Sequence, residues 1–418
     1  MTVSESYLDI VWDQFKKNGP AYFSLWMTLP VILLAVFAPL IASNVPIVFF
    51  DGNEILFPWF RALFNPAEVV DFVFNMSLVG FVPWLVWALW TNRRARQRGV
   101  TVPKRLATAS FQFLAMALFL TTFFGLPELI EMPSLTPSNR YYSRSFAQEE
   151  FQSPETKHGY YAPIAFGPID SDLDSRFAPP FYRKPADKQH DINDLNTHWL
   201  GTDNIGRDVL TRMIYGTRIA MTIGLIAVSI YLTIGVIVGA LAGYFGGMID
   251  LITSRVIEVV LLFPAFFLIL IMVAFLGQSI YIIMVVIGIT GWPTIARLIR
   301  GEVLKQRSID YAVAAQALGG SHLRIIFRHI LPNAISPALV AAPFGIAGAI
   351  ITEAGLSLLG FGVRPPAPTW GALLHLGHDN YKYWWLIVVP SVAIFATVTI
   401  FNLIGSGLRD AMDPKLRR

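Results

Sequence analysis

Glu258 and Glu353 stand inside stretches that are otherwise nearly free of charge. A charged side chain at the centre of an apolar helix in lipid costs about 2.5–3.5 kcal/mol or more, so each must face protein or water. Arg255 lies three residues before Glu258 on the same helix face, and an ion pair at that spacing accounts for it. Glu353 sits deeper, and two readings stay open. It lines a translocation path and meets the amino group of a substrate, or it is neutral or hydrogen-bonded within a helix bundle. His375 and His378 share an i, i+3 spacing, but no carboxylate or thiolate pattern of a metal site accompanies them, so they read as part of a solvated loop helix. Cysteine is absent, which excludes disulfides and thiolate ligands. The chain carries neither a G-x-x-x-x-G-K-[ST] phosphate loop nor a Ser-His-Asp or paired-carboxylate arrangement within one soluble domain. It is therefore expected not to be an enzyme in its own right, with no catalytic residue, cofactor or metal of its own.

The most patterned polar stretch is Asp310 to Pro332, DYAVAAQALGGSHLRIIFRHILP. It reads as two short helices. Asp310 is expected to cap the first, Gly319 and Gly320 to supply a left-handed stop, Ser321 to cap the second, and Pro332 to precede the next apolar stretch. Ala312, Ala314, Ala315 and Ala317 give the first helix a slim surface, suited to entering a groove on another protein. The alternative is a helix-turn packed on its own bundle. A second segment, LGTDNIGRDVL, has Gly201 and Gly206 for tight turns, with Thr202 between them and Asp203, Arg207 and Asp208 available to hold a folded elbow; contact with an external binding protein is its other reading. Phe361, Gly362, Pro365, Pro366, Pro368 and Trp370 read as a rigid loop with an interfacial aromatic anchor.

These segments are positioned by long apolar helices. Hydrophobic residues make up 54% of the chain and charged residues only 14%, against roughly 25% charged in a soluble domain. A hydrocarbon core of about 30 Å needs about 20 apolar residues in a helix. Uncharged stretches of that length lie near 22–43, 72–91, 106–127 and 219–243. A longer block, 259–296, is divided at Gly277, Gln278 and Ser279, and two more stretches follow near 335–359 and 384–407. The expected fold is all-α and polytopic, with about eight spans.

Arginine and lysine in short connections mark the cytoplasmic side. Arg93, Arg94, Arg96, Arg98, Lys104 and Arg105 crowd the connection 92–105, whereas Arg61 is the one cation of 44–71. The alternation puts 92–105, 301–333 (with Lys305, Arg307, Arg324 and Arg328) and the tail (Arg409, Lys415, Arg417 and Arg418) inside, with both termini cytoplasmic. The long segment 128–217, rich in Tyr, Pro, Asp and Ser, falls outside as an irregular, partly ordered cap. Asp13, Lys16 and Lys17 interrupt the amino-terminal stretch, which is expected not to be a cleavable signal. Tyr7, Ile10, Val11 and Phe15 suit a short amphipathic helix along the interface or the entry to the first span. The net charge of +4 calls for no nucleic-acid partner.

The 310–332 stretch resembles the EAA loop of ABC importer permeases, with the pattern Glu-Ala-Ala, three residues, Gly; Ala314, Ala315 and Gly319 match and Val313 stands where the glutamate would be. HWLGTDNIGRDVLTRMIYGTR (198–218), ITEAGLSLLGFGVRPPAPTWGALL (351–374) and RDAMDPKLRR (409–418) narrow the likeness to the dipeptide and oligopeptide branch, second permease type. APIAFG (162–167) resembles the microcin C and peptide permease subgroup. The resemblance covers most of 198–418.

It implies a non-catalytic permease subunit of an ATP-driven peptide importer in a bacterial inner membrane, working by alternating access. The implied partners are a second permease subunit, two ATP-binding subunits carrying ATP and Mg, an extracytoplasmic substrate-binding protein and the lipid bilayer. Ala314, Ala315, Ala317, Leu318 and Gly319 would couple to the ATPase. The implied organisation is an interfacial helix (1–21), a first span plus an additional helical pair (22–127), the extracytoplasmic segment (128–217), a permease core (218–408) with the coupling loop 301–333, and a cytoplasmic tail (409–418). The family normally has six spans, so the pair at 72–91 and 106–127 reads as an insertion. The rival readings are an ion-gradient-driven transporter using Glu353, and a non-transporting receptor or scaffold. Neither gives a reason for the docking loop.

Overall fold

The computed structural model describes residues 7–52, 54–64, 66, 68–97, 99–100, 102–129 and 146–413. The amino-terminal residues, Arg98 and the tail cations Lys415, Arg417 and Arg418 lie outside them. Seven helices are long and apolar enough to cross a membrane: Gly19–Val36, Val69–Gln97, Val209–Phe245, Ile280–Gln306, Ser336–Leu358, Trp385–Met412 and the stretch Lys104–Gly125 within Val102–Leu129. A bent pair, Gly247–Leu262 with Ala265–Leu276, makes eight if it counts as one crossing. The fold is all-α and polytopic as the sequence implies, with one correction. The helix expected to start near Val259 instead begins at Gly247 and turns by 83° around Phe263 and Pro264. Phe263, the residue before a proline, is extended (φ −84°, ψ 133°), because the proline ring excludes the helical conformation there. The break at Gly277 to Ser279 falls where the sequence places it.

The chain divides into two compact units. One comprises Met1–Trp12, Thr28–Ile219 and Pro365–Ser391. In it the additional helices Val69–Gln97 and Val102–Leu129 form an antiparallel pair. Trp84 donates to the Ala109 carbonyl at 2.9 Å and stacks edge-on with Phe113, and Gly80 leaves room for Leu120. Arg218 fastens this pair to its unit. Fully buried, its Nε donates to the Ala35 carbonyl at 2.7 Å, and its Nη1 donates to Asp71 at 2.9 Å and Asn75 at 3.1 Å. The rings of Phe74 and Tyr215 flank the guanidinium at 5.3 and 5.1 Å. One cation thus satisfies a carbonyl at the end of the first span and neutralises the carboxylate at the start of the inserted pair.

The described part of 128–217, together with the connection after Gly19–Val36, is more regular than the irregular cap the sequence suggests. Val48–Asp51 pairs antiparallel with Glu54–Leu56 on one side and Lys157–Tyr160 on the other, and Tyr182–Arg183 pairs with Thr197–His198. The alternating pattern of these strands is too short to stand out in the sequence. Pairing of 48–51 with 157–160 holds the connection after the first span and the segment before Val209 on one side of the membrane.

The second unit comprises Asp13–Met27, Ala220–Arg364 and Val392–Arg418. Gly235, Gly239 and Gly243 recur every fourth residue along one face of Val209–Phe245. A Cβ on them would lie 2.6 Å from the Ile295 Cβ, 2.5 Å from the Ala296 carbonyl oxygen and 2.7 Å from that of Arg300. Apolar burial drives little helix association in lipid, so backbones held at this range gain their attraction from van der Waals contact. Gly345 similarly leaves room for the Tyr231 ring. At one end Asn18 donates to Asp410 at 3.0 Å and accepts from Ala21 N–H, capping the first span, while Gly407 admits Phe15 and Ala21.

Replacing Arg218 with glutamine leaves the half-buried Asp71 without its cation and the Ala35 carbonyl without its donor, a change worth about 3 kcal/mol, the low end for breaking a buried pair. A substantial fall in the melting temperature of the detergent-solubilised chain is expected. The paired substitution Arg218→Leu with Asp71→Leu should recover most of it. A double variant as unstable as Arg218→Gln shows that the pair does not hold the inserted helices.

Candidate functional site

The coupling loop is rooted in the second unit. Ile280–Gln306 ends at Arg307, whose Nη1 donates to the carbonyls of Gly243 and Tyr244, each at 3.1 Å. Arg300 pairs with Asp250 through two hydrogen bonds, one of them 2.7 Å long. Beyond Ile309 the helix Asp310–Ala317 forms and stops at once. Gly320 N–H donates to Ala315 and Gly319 N–H to Gln316, with Gly319 at φ +79°, a complete Schellman stop. The glycine stop therefore stands where the sequence places it. The first cap does not: Ile309 occupies the N-cap position and Asp310 is the first helical residue, whereas Ser321 stands at the N-cap of the second helix as expected but makes no side-chain capping bond. Asp310 still serves the helix as a negative charge in its first turn.

The second arm, from His322, passes through a widened turn, Ile325–Ile330, before Leu331–Ala334. Pro332 has no N–H to donate, which loosens the bonding of the turn before it. Ile325, Ile326 and Ile330 are buried and form the root of the loop. Ala312 is buried and Ala315 half-buried, whereas Val313, Ala314, Ala317, Leu318 and Gly319 are exposed. Leu318 is 89% exposed and Leu323 61%. Val313 presents an apolar surface where the family pattern carries a carboxylate.

The elbow belongs to the first unit. Gly201 and Gly206 have φ of +76° and +78°, and a Cβ on Gly206 would lie 1.7 Å from the Asp172 carbonyl oxygen. Fully buried Asp203 accepts from Ile205 N–H and Arg207 N–H, both at 3.0 Å, and from Arg207 Nε at 2.7 Å; Arg212 Nη1 approaches to 3.3 Å. Asp208 caps Val209–Phe245 by accepting from Thr211 N–H at 2.7 Å and meets His198 Nδ1 at 2.9 Å. Thr202 accepts from Ala178 N–H, and Trp385 Nε1 donates to the Thr202 carbonyl. The elbow is thus a buried network in which Arg212 Nε and Nη1 are left without a hydrogen-bond partner. His198, stacked on Phe166, and Arg212 belong to it but were not singled out by sequence spacing, since their partners lie in separate loops or around a helical turn. Trp370 is no interfacial anchor: it is buried, and its Nε1 donates to the Met213 carbonyl.

Lys184 bridges Asp172 at 3.1 Å and Asp194 at 3.2 Å. Burial pushes the Asp172 carboxyl up, but the Ser175 and Lys184 hydrogen bonds outweigh it and hold the group below its ordinary value. Burial raises Asp170 and Asp191, and each also feels a neighbouring carboxylate, Asp191 on the former and Asp194 on the latter. Glu353 is 2% exposed and accepts from Ser357 at 2.7 Å. Arg255 and Glu258 pair at 2.6 Å. His375 and His378 both lie beside Asp379, and the described residues hold no group of three metal-ligating side chains.

Two family models match the chain. Residues 235–418 match the binding-protein-dependent transport system inner membrane component, and residues 6–54 the N-terminal TM domain of oligopeptide transport permease C. The dipeptide transport system permease protein DppC of Alkalihalophilus pseudofirmus is 40% identical over 224 residues, 53% of this chain and 73% of that protein. The chain belongs to the binding-protein-dependent permease family. The glutathione transport system permease protein GsiD of Pectobacterium atrosepticum is also 40% identical, over 56% of this chain and 81% of its own length. Among solved structures, a chain of the MetNI methionine ABC transporter in inward-facing conformations aligns at a TM-score of 0.40 and 17% identity, over 48% of this chain and 97% of that one. The chain is a permease subunit of the dipeptide and oligopeptide ABC importer type. Both rival readings are set aside, and the inserted helices lie in the interval 55–234 between the two matches.

Two outcomes test the site's geometry. Gly206→Ala forces the Asp172 backbone to move, whereas Gly319→Ala meets open space and bears only the left-handed strain of about 1–2 kcal/mol. The first variant should therefore melt well below the second. For the loop around Lys184, Asp172 contributes stability above the unfolded aspartate value of about 3.9, lost as pH falls through its depressed folded value. Asp170 and Asp191 have the opposite sign, contributing below the unfolded value and losing it as pH rises. Amide exchange over 170–196, corrected for intrinsic rates, should stay slow from neutral pH to about 4 and accelerate below it.

Proposed function

We propose that the chain forms half of the translocation path of an ATP-driven importer of peptides or peptide-like compounds, acting by alternating access. In this reading a second permease subunit supplies the other half, and two ATP-binding subunits, carrying ATP and Mg, dock on the loop 301–333. An extracytoplasmic binding protein delivers cargo on the side of the elbow. The membrane is the bacterial inner membrane, with both termini cytoplasmic. The pairing of 48–51 with 157–160 favours that topology by holding two expected outer segments together, as does the Asn18–Asp410 bond near the two ends of the chain. The proposed organisation keeps 1–21, 22–127, 128–217, 218–408 and 409–418 as the functional divisions.

One observation carries the docking role. Val313, Ala314, Ala317 and Leu318 form an exposed apolar edge on a helix that stops after two turns and is rooted by buried isoleucines. An apolar edge so rigidly presented beyond the spans fits a groove on an ATP-binding subunit. Closure of that groove would pull on the loop and, through Ile280–Gln306 and Leu331–Ala334, open the path outward. ATP hydrolysis would reset it. Val313 would make this contact apolar where the family pattern has a glutamate. The elbow network serves to fix the entry into Val209–Phe245, and Glu353 serves as a buried bond inside its bundle. Peptide cargo is supported by the two relatives, permeases of dipeptide and glutathione transport systems.

Co-purification of the full chain with its candidate ATP-binding subunits in mild detergent tests this. Wild type should retain an ATPase, Gly319→Asp and Leu318→Asp should lose it, and Gly319→Asn should keep it, since asparagine tolerates the left-handed conformation without adding charge. Melting temperatures of the Leu318 variant should match wild type. Retention that is equal in all four proteins, or absent in wild type, overturns the docking reading.

A further inference from the structure

We propose that the turn of the inserted helical pair is a binding site for anionic phospholipid headgroups, so that the pair anchors this unit to acidic lipid. Arg93, Arg94, Arg96, Lys104 and Arg105 converge there from the ends of Val69–Gln97 and Val102–Leu129. From residue 72 to residue 127 the sequence contains no Asp or Glu, and among the described residues none of the five cations forms an ion pair. Several cations elsewhere in the chain are paired instead. Lys157, Lys184, Arg207, Arg218, Arg255, and Arg300 each have a carboxylate within 4 Å. The uncompensated charge of the turn awaits an anion from outside the chain.

What surrounds it selects lipid over a free anion. Arg94 lies over the Trp90 ring at 3.5 Å from its centroid, while the ring itself remains about half exposed. An indole topped by a guanidinium is an arrangement suited to the headgroup level of a bilayer, where the ring meets acyl chains and the cation meets phosphate. Arg105 donates Nη1 to Asn92 at 3.3 Å, bridging the two helices, and its Nε is buried without a partner. Farther along the same pair Phe111, Leu114 and Leu118 are each at least 66% exposed, a surface that acyl chains below the headgroup would cover. Charge complementarity at the turn and apolar exposure along the helices thus match the two ends of one molecule. Juxtamembrane cations contribute about fivefold in affinity each toward an acidic leaflet.

The test is native mass spectrometry of the full chain released from nanodiscs of phosphatidylcholine mixed with phosphatidylglycerol. Wild type is expected to retain phosphatidylglycerol above its share of the bilayer. Substituting Arg93, Arg94, Arg96, Lys104 and Arg105 by glutamine should abolish that enrichment. A control, Arg255→Gln with Lys305→Gln, removes exposed cations that already have carboxylate partners and should leave the enrichment intact. The Arg93→Gln/Arg94→Gln variant, whose changes are confined to exposed side chains, should lose part of it while melting as wild type does. Equal loss in the control means that general surface charge holds the lipid and overturns the site. Undiminished enrichment in the fivefold variant, or displacement of the lipid by inorganic phosphate alone, does so too.

Discussion

Inside a bilayer no water reaches the backbone or a buried charge, and each polar group must find its partner within the protein. The long helices answer this for the amides, and the side chains answer it one by one. Arg218 reaches the end of the first span and the start of the inserted pair together, Asp203 gathers Arg207 and Arg212, Arg300 takes Asp250, and Glu353 takes Ser357. Each bond links segments that sequence separates or stiffens one helix where it must turn. Charge within the described spans is therefore a record of assembly. Glu353, buried and bonded to Ser357, is one example.

The same constraint explains why glycine organises the second unit. With lipid as apolar as the side chains, closeness decides which helix faces pair. The four-residue repeat of Gly235, Gly239 and Gly243 sets Val209–Phe245 against Ile295, Ala296 and Val303. Arg307, at the end of the same contact, ties the last carbonyls of that helix to the start of the coupling loop. A displacement of the loop would accordingly be felt first at the glycine seam, a contact of backbone on backbone with little side-chain slack.

Much of this was legible in the sequence because lipid imposes a length rule. Spans, the break at Gly277, the short loop helix and its glycine stop follow from apolar run length and from φ constraints that act on single residues. The bend at Pro264 was legible in principle, since a proline inside an apolar block signals it, but the uncharged run concealed it. The four-residue repeat of Gly235, Gly239 and Gly243 is equally visible in the sequence, but spacing alone does not name the face it packs against. What could not be read was long-range. Arg218 meets Asp71, and Val48–Asp51 meets Lys157–Tyr160, across more than a hundred residues, and no local pattern specifies such a partner. The first cap of the loop failed for a smaller reason: Ile309 holds the cap position by its backbone alone, without the hydroxyl or carboxylate that marks such a site.

Exposure of apolar side chains takes its meaning from the solvent beside them. Phe275, 87% exposed at the end of an uncharged helix, lies within a stretch of span composition and is accounted for by acyl chains. Leu318 is 89% exposed, yet it follows a helix bounded by Lys305, Arg307 and Ser308 on one side and by His322, Arg324 and Arg328 on the other. Cations and hydroxyls at that density hold the loop in water, where a large apolar side chain on a rigid stop has no reason to remain bare. Its exposure, with that of Val313, is what the proposed docking of the loop on an ATP-binding subunit would account for. In that proposal the loop's small residues act twice: they would let the helix backbone approach the partner, and they leave Leu318 as the large side chain at the stop that would fill its groove.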